Sequence, residues 1–509
     1  MKKLIVIIAI LAAALQTSAA QNKLQGRIAW AVRHSLALDG AAVGIAVKDI
    51  QSGAMMAEYN ASTRLAPASN MKLITTGSAL HRLGPGFTYS TSLGYTGTIT
   101  DGILSGDLYI VGGGDPTTAG SDSISTPMAE LFDRWKQLLE GAGIKRIDGR
   151  IIGDGRAWDG YLESSNWTWD DIGTYYGTGA DALCFYQNAI DLQVAPGESE
   201  GEPVQALQTF PETPWMTFTN RGVTGREGTG NSLYLFTTDL APFAQLRGSF
   251  ALGRNPKTEH FANKFGALTC AYYFANHLRA SGITVTGKAA HIERGGIIRT
   301  DDFVPAGDAG DPEIIGSSSS PDIGRIARET NLRSDNFYAE ALYRTLGKAL
   351  TGSAVYDSCR VAEKAVLASL GLSSDAIIID DGSGLSRKNA VSARFLADFL
   401  AAMTSSPAFP AFLGSLPAPG EGTISPLLNG KACAARYRLK SGSMDGILCY
   451  SGYIIDSGGT PIATVSILVN GTTAPTSRVR KALESVLSIV AEEIPGGSGN
   501  DKGRTGNDK

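Results

Sequence analysis

The chain has 509 residues, of which 43% are hydrophobic and 18% are charged, and its formal net charge is −4. This length predicts roughly three domains, and an acidic balance without a basic cluster gives no reason to expect a nucleic-acid partner. Five widely spaced cysteines form no metal-binding spacing, and the five histidines form no H-E-x-x-H motif. We therefore expect a large globular protein without a metal site, whose cysteines act as small hydrophobic residues.

The first twenty residues have the pattern of an export signal. Two lysines precede an apolar run over residues 4–15, and Ser18, Ala19 and Ala20 close the segment with small side chains. This order predicts a cleaved secretory signal peptide over residues 1–20. An uncleaved anchor is the alternative, but the apolar run is shorter than the roughly 20 residues that span a bilayer. We expect an exported protein with no transmembrane anchor.

Strand patterns occur at both ends of the remaining chain. They cover residues 41–49, 55–59, 451–455 and 462–469. We expect strands from the two ends of the chain to join one sheet. An amphipathic helix is predicted after them, roughly over residues 477–493, and the polar residues 496–509 are predicted to be disordered.

The first candidate for chemistry is the pair Ser69 and Lys72, just before a mostly apolar stretch that is predicted to be a helix. A three-residue step on a helix puts two side chains on one face, so Lys72 can reach the Ser69 hydroxyl. A neutral lysine can then take the serine proton and make the oxygen a nucleophile. The alternative is an ordinary serine at a helix start.

Two later motifs change the balance between these interpretations. Ser334-Asp335-Asn336 stands in a polar break before a helical stretch, and Lys440-Ser441-Gly442 lies in a predicted strand. Ser69 to Lys72 is the one S-x-x-K spacing in the sequence. S-x-x-K, S-D-N and K-T-G in this order are the motif set of active-site serine β-lactamases and penicillin-binding proteins. The trio therefore favours an acyl-transfer enzyme.

Two similar passages bracket the middle of the chain. Residues 139–152 and 278–287 each have a helical pattern that ends at glycine and is followed by a strand pattern. Their similarity indicates one inserted domain that is itself interrupted by another.

Beyond the trio, three stretches strengthen a resemblance to a known family. They are residues 106–116, the run Asp381-Gly-Ser-Gly-Leu-Ser-Arg387, and residues 415–417 with Gly422-Thr423. The chain resembles a class C low-molecular-mass penicillin-binding protein, a D-alanyl-D-alanine carboxypeptidase/endopeptidase. Ser441 departs from the usual threonine of the third motif but keeps the hydroxyl.

The resemblance implies a multidomain α/β architecture. A β-lactamase/transpeptidase-like domain, with an antiparallel sheet flanked by helices, would be split by a nested two-domain insertion. The expected boundaries are residues 21–84 and 294–495 for the penicillin-binding domain, 85–154 and 265–293 for domain II, and 155–264 for domain III.

The resemblance also implies the catalytic roles. Ser69 would attack the peptide carbonyl between two D-alanines while Lys72 takes its proton, and backbone N–H groups of Ser69 and Ser443 would stabilise the oxyanion. Ser334 would relay a proton to the leaving amine, and Asn336 would orient the substrate amide and Lys72. No cofactor or metal is implied.

The third motif would bind the other parts of the substrate. Lys440 would supply positive potential and help to keep Lys72 neutral, while Ser441, Gly442 and Ser443 would hold the terminal carboxylate. The resemblance further implies a pocket for a diaminopimelate side chain, whose ammonium and carboxylate need an anion and a cation. Its candidate residues are Asp154, Arg387, Met444 and Asp445; ordinary surface charges are the alternative for Asp154 and Arg387.

The implied partners are peptidoglycan stem peptides that end in D-Ala-D-Ala, and β-lactam antibiotics, in the periplasm. A homodimer is left open by the sequence. A β-lactamase would share the trio but has no use for more than two hundred residues between the first two motifs. A non-catalytic peptidoglycan-binding scaffold is the third hypothesis, and the intact trio argues against it.

Overall fold

The computed structural model describes residues 21–293, 303–305 and 308–494. The predicted signal peptide, residues 1–20, and the predicted tail, residues 496–509, lie outside these ranges. The described residues divide into two compact units. One contains residues 21–82, Ala327–Ser334 and residues 364–494; the other contains the described residues between Leu83 and Ile326, together with Asp335–Glu363.

The helices are the following, in chain order: α1 (21–33), α2 (Met71–Leu83), α3 (Met128–Gly141), α4 (Gly266–Ala280), α5 (Ile323–Arg333), α6 (Asn336–Thr351), α7 (Tyr356–Ser369), α8 (Ala393–Met403), α9 (Phe409–Ser415) and α10 (Thr476–Glu493). Among the residues that the structure describes, no helix combines the length and apolar character needed to cross a membrane.

The strands in the first half of the chain are β1 (Ala42–Asp49), β2 (Met55–Tyr59), β3 (Arg64–Leu65), β4 (Ser90–Tyr95), β5 (Thr98–Thr100), β6 (Ile103–Ser105), β7 (Leu108–Val111), β8 (Arg146–Ile147), β9 (Ile151–Asp154), β10 (Ala189–Ala195), β11 (Gln205–Phe210), β12 (Thr217–Asn220), β13 (Val223–Gly225), β14 (Tyr234–Thr238), β15 (Ala241–Arg247) and β16 (Ser249–Ala251). They are followed by β17 (Lys257–Ala262), β18 (Thr284–Val285), β19 (Ala289–Glu293), β20 (Phe303–Pro305), β21 (Glu313–Ser319), β22 (Val391–Ser392), β23 (Tyr437–Met444), β24 (Ile447–Ile455) and β25 (Pro461–Asn470).

The first unit is built on a five-stranded antiparallel sheet in the order β2-β1-β25-β24-β23. The predicted union of strands from the two ends of the chain is confirmed, since β1 pairs with β25 from Ala42↔Asn470 to Asp49↔Ala463. Strand β23, which carries the Lys440 motif, is an edge strand of this sheet.

Helices cover both faces of the five-stranded sheet. Alternate strand residues such as Val43, Ile45 and Val47 join the apolar cluster that α1 and α10 complete with Ile28 and Leu487. Helix α8 packs on the opposite face against β1, β24 and β25. Because successive side chains of a strand point to opposite faces, a strand buried on both faces reads as a continuous apolar run. The predicted antiparallel sheet flanked by helices is therefore confirmed.

The second unit contains a six-stranded mixed sheet, β20-β19-β9-β7-β4-β21, and a four-stranded sheet, β18-β8-β6-β5. Helices α3 and α4 share one apolar core with these strands, centred on Phe132, Trp135 and Phe274. Residues 189–262 form three smaller sheets, β11-β10-β17, β12-β15-β14 and β13-β16.

The two similar passages of the sequence form similar structures. Helix α3 leads into β8 and helix α4 leads into β18, and these two strands are parallel neighbours in one sheet. Gly143 and Gly282 have φ of 78° and 90°, the left-handed conformation that commonly ends a helix. The predicted helix–glycine–strand pattern is confirmed, while the boundaries of domains II and III stay a prediction.

Candidate active site

Ser69 lies in a 3₁₀ turn, Ala68–Asn70, that leads into α2 and contacts β23 and β24. The preceding Ala68 is buried and has φ of 46°, a left-handed conformation that costs a residue with a side chain roughly 1–3 kcal/mol. Gly384 packs against this turn, and only glycine fits there, because a Cβ would collide with the Ala68 carbonyl oxygen. Surrounding structure therefore fixes the backbone that presents Ser69.

Lys72 is fully buried in the first turn of α2, and its Nζ lies 2.9 Å from Ser69 Oγ. The same Nζ donates a hydrogen bond to the Ser383 carbonyl oxygen at 2.7 Å. The predicted proximity of the serine and the lysine is thus present. The contact with Ser383 orients the lysine chain from a segment more than 300 residues away in sequence.

The carbonyl that orients Lys72 belongs to a loop built around the carboxylate of Asp381. Asp381 is buried and accepts hydrogen bonds from Gly384 N at 2.8 Å, Ser386 N at 2.6 Å and Asn389 Nδ2 at 2.7 Å. Charged acceptors make the stronger hydrogen bonds of proteins. This loop is consequently a rigid support for Lys72.

Lys440, on β23, brings a second buried cation to the same place. Its Nζ donates to Ser334 Oγ at 2.8 Å and to the Ser441 carbonyl at 2.6 Å. Ser334 has φ of 61°, so the hydroxyl beside Lys440 is also held by strained backbone. We call Ser69, Lys72, Ser334 and Lys440 the lysine cluster; all four belong to the first unit.

The electrostatics of the lysine cluster follow from two cations in a dry environment. Burial first, and then the positive charge of Lys72, hold the pKa of the Lys440 ammonium well below its ordinary range. Desolvation and a like charge both disfavour the protonated form of a lysine. The cluster therefore resists carrying two positive charges, a condition that favours one neutral amine.

Gly442 explains how β23 approaches Ser69 so closely. A Cβ at this position would lie 3.1 Å from Ser69 N, 3.0 Å from Asn70 N and 2.5 Å from the Pro67 carbonyl oxygen. These distances leave no room for a side chain. The backbone of β23 is thereby packed directly on the turn that contains Ser69 N, the close approach that an oxyanion site requires.

Ser441 and Ser443 share one face of β23, because alternate strand residues point the same way. Ser441 is 9% exposed, whereas Ser443 is open to solvent. Ser441 Oγ lies 2.6 Å from Thr423 Oγ1 in the 3₁₀ turn Gly422–Ile424. Met444 ends β23 and is partly buried, and Asp445 lies exposed in the turn to β24.

Three other predicted residues have different surroundings. Asn336 begins α6, and its Nδ2 donates to the Tyr176 carbonyl at 2.9 Å; both residues belong to the second unit. Asp154 ends β9 in that unit, is 3% exposed, and forms an ion pair with Arg156 at 2.9 Å. Arg387 follows the Asp381 loop in the first unit and is exposed.

Sequence reasoning missed the support of the site. It assigned no role to Asp381, Ser383 or Thr423, although their stretches were noted as family-like. An Asp followed by Gly and Ser is a turn signal with a capping carboxylate, so Asp381 could have been found. The contacts of Ser383 and Thr423 are long-range and left no local pattern.

The chemistry available here is that of an activated serine: a hydroxyl beside a buried amine, a second hydroxyl beside a second amine, and backbone N–H groups close by. Within the described ranges, no group of three His, Cys, Asp or Glu side chains is arranged to hold a metal ion.

Comparison with known proteins gives consistent results. A model of the D-Ala-D-Ala carboxypeptidase 3 (S13) family matches residues 24–489. A D-alanyl-D-alanine carboxypeptidase from Actinomadura sp. is 28% identical over 484 residues, which cover 92% of this chain and 84% of that protein.

Two crystal structures of penicillin binding protein 4 from Haemophilus influenzae have a similar fold. One matches with a TM-score of 0.76 at 21% identity, and the other, complexed with a β-lactam, with a TM-score of 0.70 at 20% identity. Each match covers 93% of this chain and 98% of the other.

Proposed function

This chain belongs to the D-Ala-D-Ala carboxypeptidase 3 (S13) family, and we propose that Ser69 is the nucleophile with which it cleaves D-Ala-D-Ala stem peptides of peptidoglycan. The single observation that carries this proposal is the distance of 2.9 Å between Ser69 Oγ and the buried Lys72 Nζ. A serine of this kind needs an adjacent base, and a neutral buried lysine is one.

Acylation begins when Ser69 Oγ attacks the carbonyl carbon between the two D-alanines. The Ser69 proton passes to the lone pair of Lys72, while the Ser383 carbonyl keeps the lysine chain in position. The developing oxyanion is stabilised by the backbone N–H groups of Ser69 and Ser443. The packing of Gly442 on the Ser69 turn, which leaves no room for a Cβ, supports that assignment.

Collapse of the tetrahedral intermediate breaks the C–N bond. The leaving amine of the terminal D-alanine takes a proton through Ser334, whose hydroxyl is hydrogen-bonded to Lys440. The freed D-alanine departs and leaves an ester on Ser69. Water then attacks this ester with Lys72 as base, releasing the shortened peptide and restoring the serine.

Binding of the terminal carboxylate falls to Ser441 and Ser443 beside Lys440, and the negative charge of that carboxylate favours the protonated amine that burial and Lys72 otherwise disfavour. Asn336 orients the substrate amide. A β-lactam with a carboxylate and a strained amide reacts in the same site, which supports penicillin as an inhibitor that acylates Ser69.

Selectivity for the third stem-peptide residue is the more demanding part of the proposal. Arg387 is exposed and its guanidinium can bind a carboxylate. Asp154 is already paired with Arg156, so an ammonium would have to share that carboxylate. Met444 and Asp445, near Lys440 in the first unit, stay candidates for contact with the same substrate side chain.

We also propose an exported, periplasmic protein. The supporting feature is the N-terminal sequence, in which two lysines, a short apolar run and small residues follow one another.

The test of this function is incubation of the purified protein with cell-wall muropeptides, followed by mass analysis of the products. Loss of one alanine from pentapeptides indicates carboxypeptidase action, and separation of cross-linked dimers indicates endopeptidase action. The Ser69→Ala variant is the control and should yield neither product. Unchanged muropeptides with the wild-type protein would contradict the proposal.

A further inference from the structure

The side chain of Ser441 can adopt several χ1 rotamers, whereas binding a carboxylate requires its hydroxyl to be held in one of them. Serine has three staggered χ1 rotamers, whereas the branched Cβ of threonine restricts χ1. Ser441 occupies the second position of the third motif, where the motif's threonine would limit its own hydroxyl. Some neighbouring group must therefore select the Ser441 rotamer if its hydroxyl is to be ready for a substrate.

Thr423 is the neighbouring residue whose hydroxyl can select the Ser441 rotamer. Its Oγ1 lies 2.6 Å from Ser441 Oγ, a short hydroxyl–hydroxyl distance. If Thr423 donates its proton to Ser441 Oγ, the Ser441 proton must point elsewhere and is available to a carboxylate. Thr423 is itself β-branched, so its hydroxyl is restricted by its own side chain.

The turn that carries Thr423 is anchored on both sides. Ile424 is fully buried, and Gly422, with φ of 46°, packs so tightly against the Leu332 carbonyl that a Cβ there would collide with it. The Glu421 carboxylate accepts a hydrogen bond from Ala418 N at 2.9 Å. Leu439 N in β23 donates to the Pro417 carbonyl at 3.0 Å. The loop and the strand are thus linked independently of the Thr423 hydroxyl.

We propose that Thr423 is a positioning residue for the terminal carboxylate of the substrate, holding the Ser441 hydroxyl in the rotamer that donates to that carboxylate. This inference rests on the proposed function, in which Ser441 binds the D-alanine carboxylate. It assigns the loop over residues 417–424 to substrate selection, beyond the three motifs.

The test compares Thr423→Val in two backgrounds, wild type and Ser441→Thr. Valine keeps the branched shape and removes the hydroxyl. Loss of one hydrogen bond predicts a decrease of about fivefold in kcat/KM for a diacetyl-lysyl-D-Ala-D-Ala peptide. In the Ser441→Thr background the new threonine restricts its own hydroxyl, so Thr423→Val should cost about twofold or less. Thr423→Ser retains the hydroxyl but loses the branch that restricts it, so its loss should lie between zero and that of Thr423→Val.

Two readouts separate positioning from a structural role. The terminal D-alanine and its carboxylate have left once Ser69 is acylated, so the rate of hydrolysis of the acyl-enzyme should be unchanged in Thr423→Val. The same peptide with a terminal carboxamide should lose nothing further in this variant.

The outcomes are distinguishable. Equal losses in both backgrounds, equal losses for acid and amide substrates, or slower deacylation would each overturn the inference while leaving the function intact. A wild-type protein that neither cleaves the peptide nor forms a penicillin adduct would overturn both.

Discussion

The lysine cluster and the proposed selectivity residues, Asp154 and Arg387, differ in how their side chains are held by the rest of the protein. Lys72 and Lys440 are fully buried, and each is tied to a serine hydroxyl and to a backbone carbonyl. Arg387, in contrast, is exposed, and Asp154 is engaged with Arg156. The reactive groups are thus organised by the fold alone, whereas the charges that would choose a substrate remain solvated or partnered. We expect changes in the cluster to affect every substrate and changes at Arg387 to affect only some.

The largest effect should come from Lys72→Met, which removes the base and keeps most of the side-chain volume. General bases contribute about 10²–10⁴-fold to rate, so acylation by penicillin and by peptides should both fall by about this factor. Stopped-flow acylation kinetics measure the change. Lys364→Met, at an exposed position on α7, is the matched control and should leave both rates unaltered. A loss limited to one class of substrate would contradict the comparison.

Gly442→Ala tests whether the close approach of β23 to Ser69 matters. The added methyl must displace the Ser69 turn or the strand, and a displacement of about 1 Å can cost about 10²-fold in rate. Acylation by penicillin should fall by about that factor. Gly414→Ala in α9, where a Cβ meets nothing within 4 Å, should have no such effect. Normal acylation by Gly442→Ala would show that the proposed oxyanion site lies elsewhere.

Arg387→Ala tests whether the exposed selectivity residue affects only some substrates. Loss of a charge-assisted contact costs about 1.5–3 kcal/mol, which is roughly 10- to 150-fold in kcat/KM. This loss should appear with diaminopimelate-containing peptides, while penicillins without that side chain should react at nearly the wild-type rate. Lys388→Ala removes the adjacent exposed charge and serves as the control. Asp154→Asn should give a smaller change in the same direction, because Arg156 already neutralises part of the charge.

The smallest effect concerns stability and pH. Since burial and Lys72 lower the pKa of Lys440 in the folded state, the unfolded chain binds the proton more tightly. Stability should therefore rise with pH from the lowered pKa up to about 10.4, the ordinary value for lysine. Urea unfolding at several pH values should show this rise in the wild-type protein and a flatter profile in Lys440→Met. Identical stability profiles for the wild-type protein and Lys440→Met would mean that folding does not lower the pKa of Lys440.

Sequence reasoning reached the parts of the site that local pattern determines. The spacing of Ser69 and Lys72, the helix that begins at Asn336, and the strand that carries Lys440 each depend on neighbours in sequence. The apolar patterns also predicted the strands β1 and β25 from the two ends of the chain, because both strands are buried on both faces of the sheet. It could not give the partner of Lys72, a carbonyl at Ser383, since a backbone acceptor leaves no trace in residue type.

The same limit applies to strain and to charge pairing. Ala68 and Ser334 have left-handed conformations, and neither alanine nor serine is a residue type from which that conformation is predicted. Asp154 and Arg156 stand two residues apart, yet their ion pair depends on the turn after β9. Asp154, which the sequence analysis assigned with Arg387 to a binding pocket, therefore already has an ion-pair partner within its own unit.

The central claim, that Ser69 is the nucleophile activated by the lysine cluster, is tested most directly by mass spectrometry of the intact protein after incubation with penicillin. We expect a mass increase of one penicillin per chain, located by proteolysis on the peptide that contains Ser69. Ser69→Ala should keep its fold, because losing a hydroxyl near a helix start costs only about 1 kcal/mol, and should gain no mass. A covalent adduct on Ser69→Ala, or an adduct on any other residue of the wild-type protein, would contradict that claim.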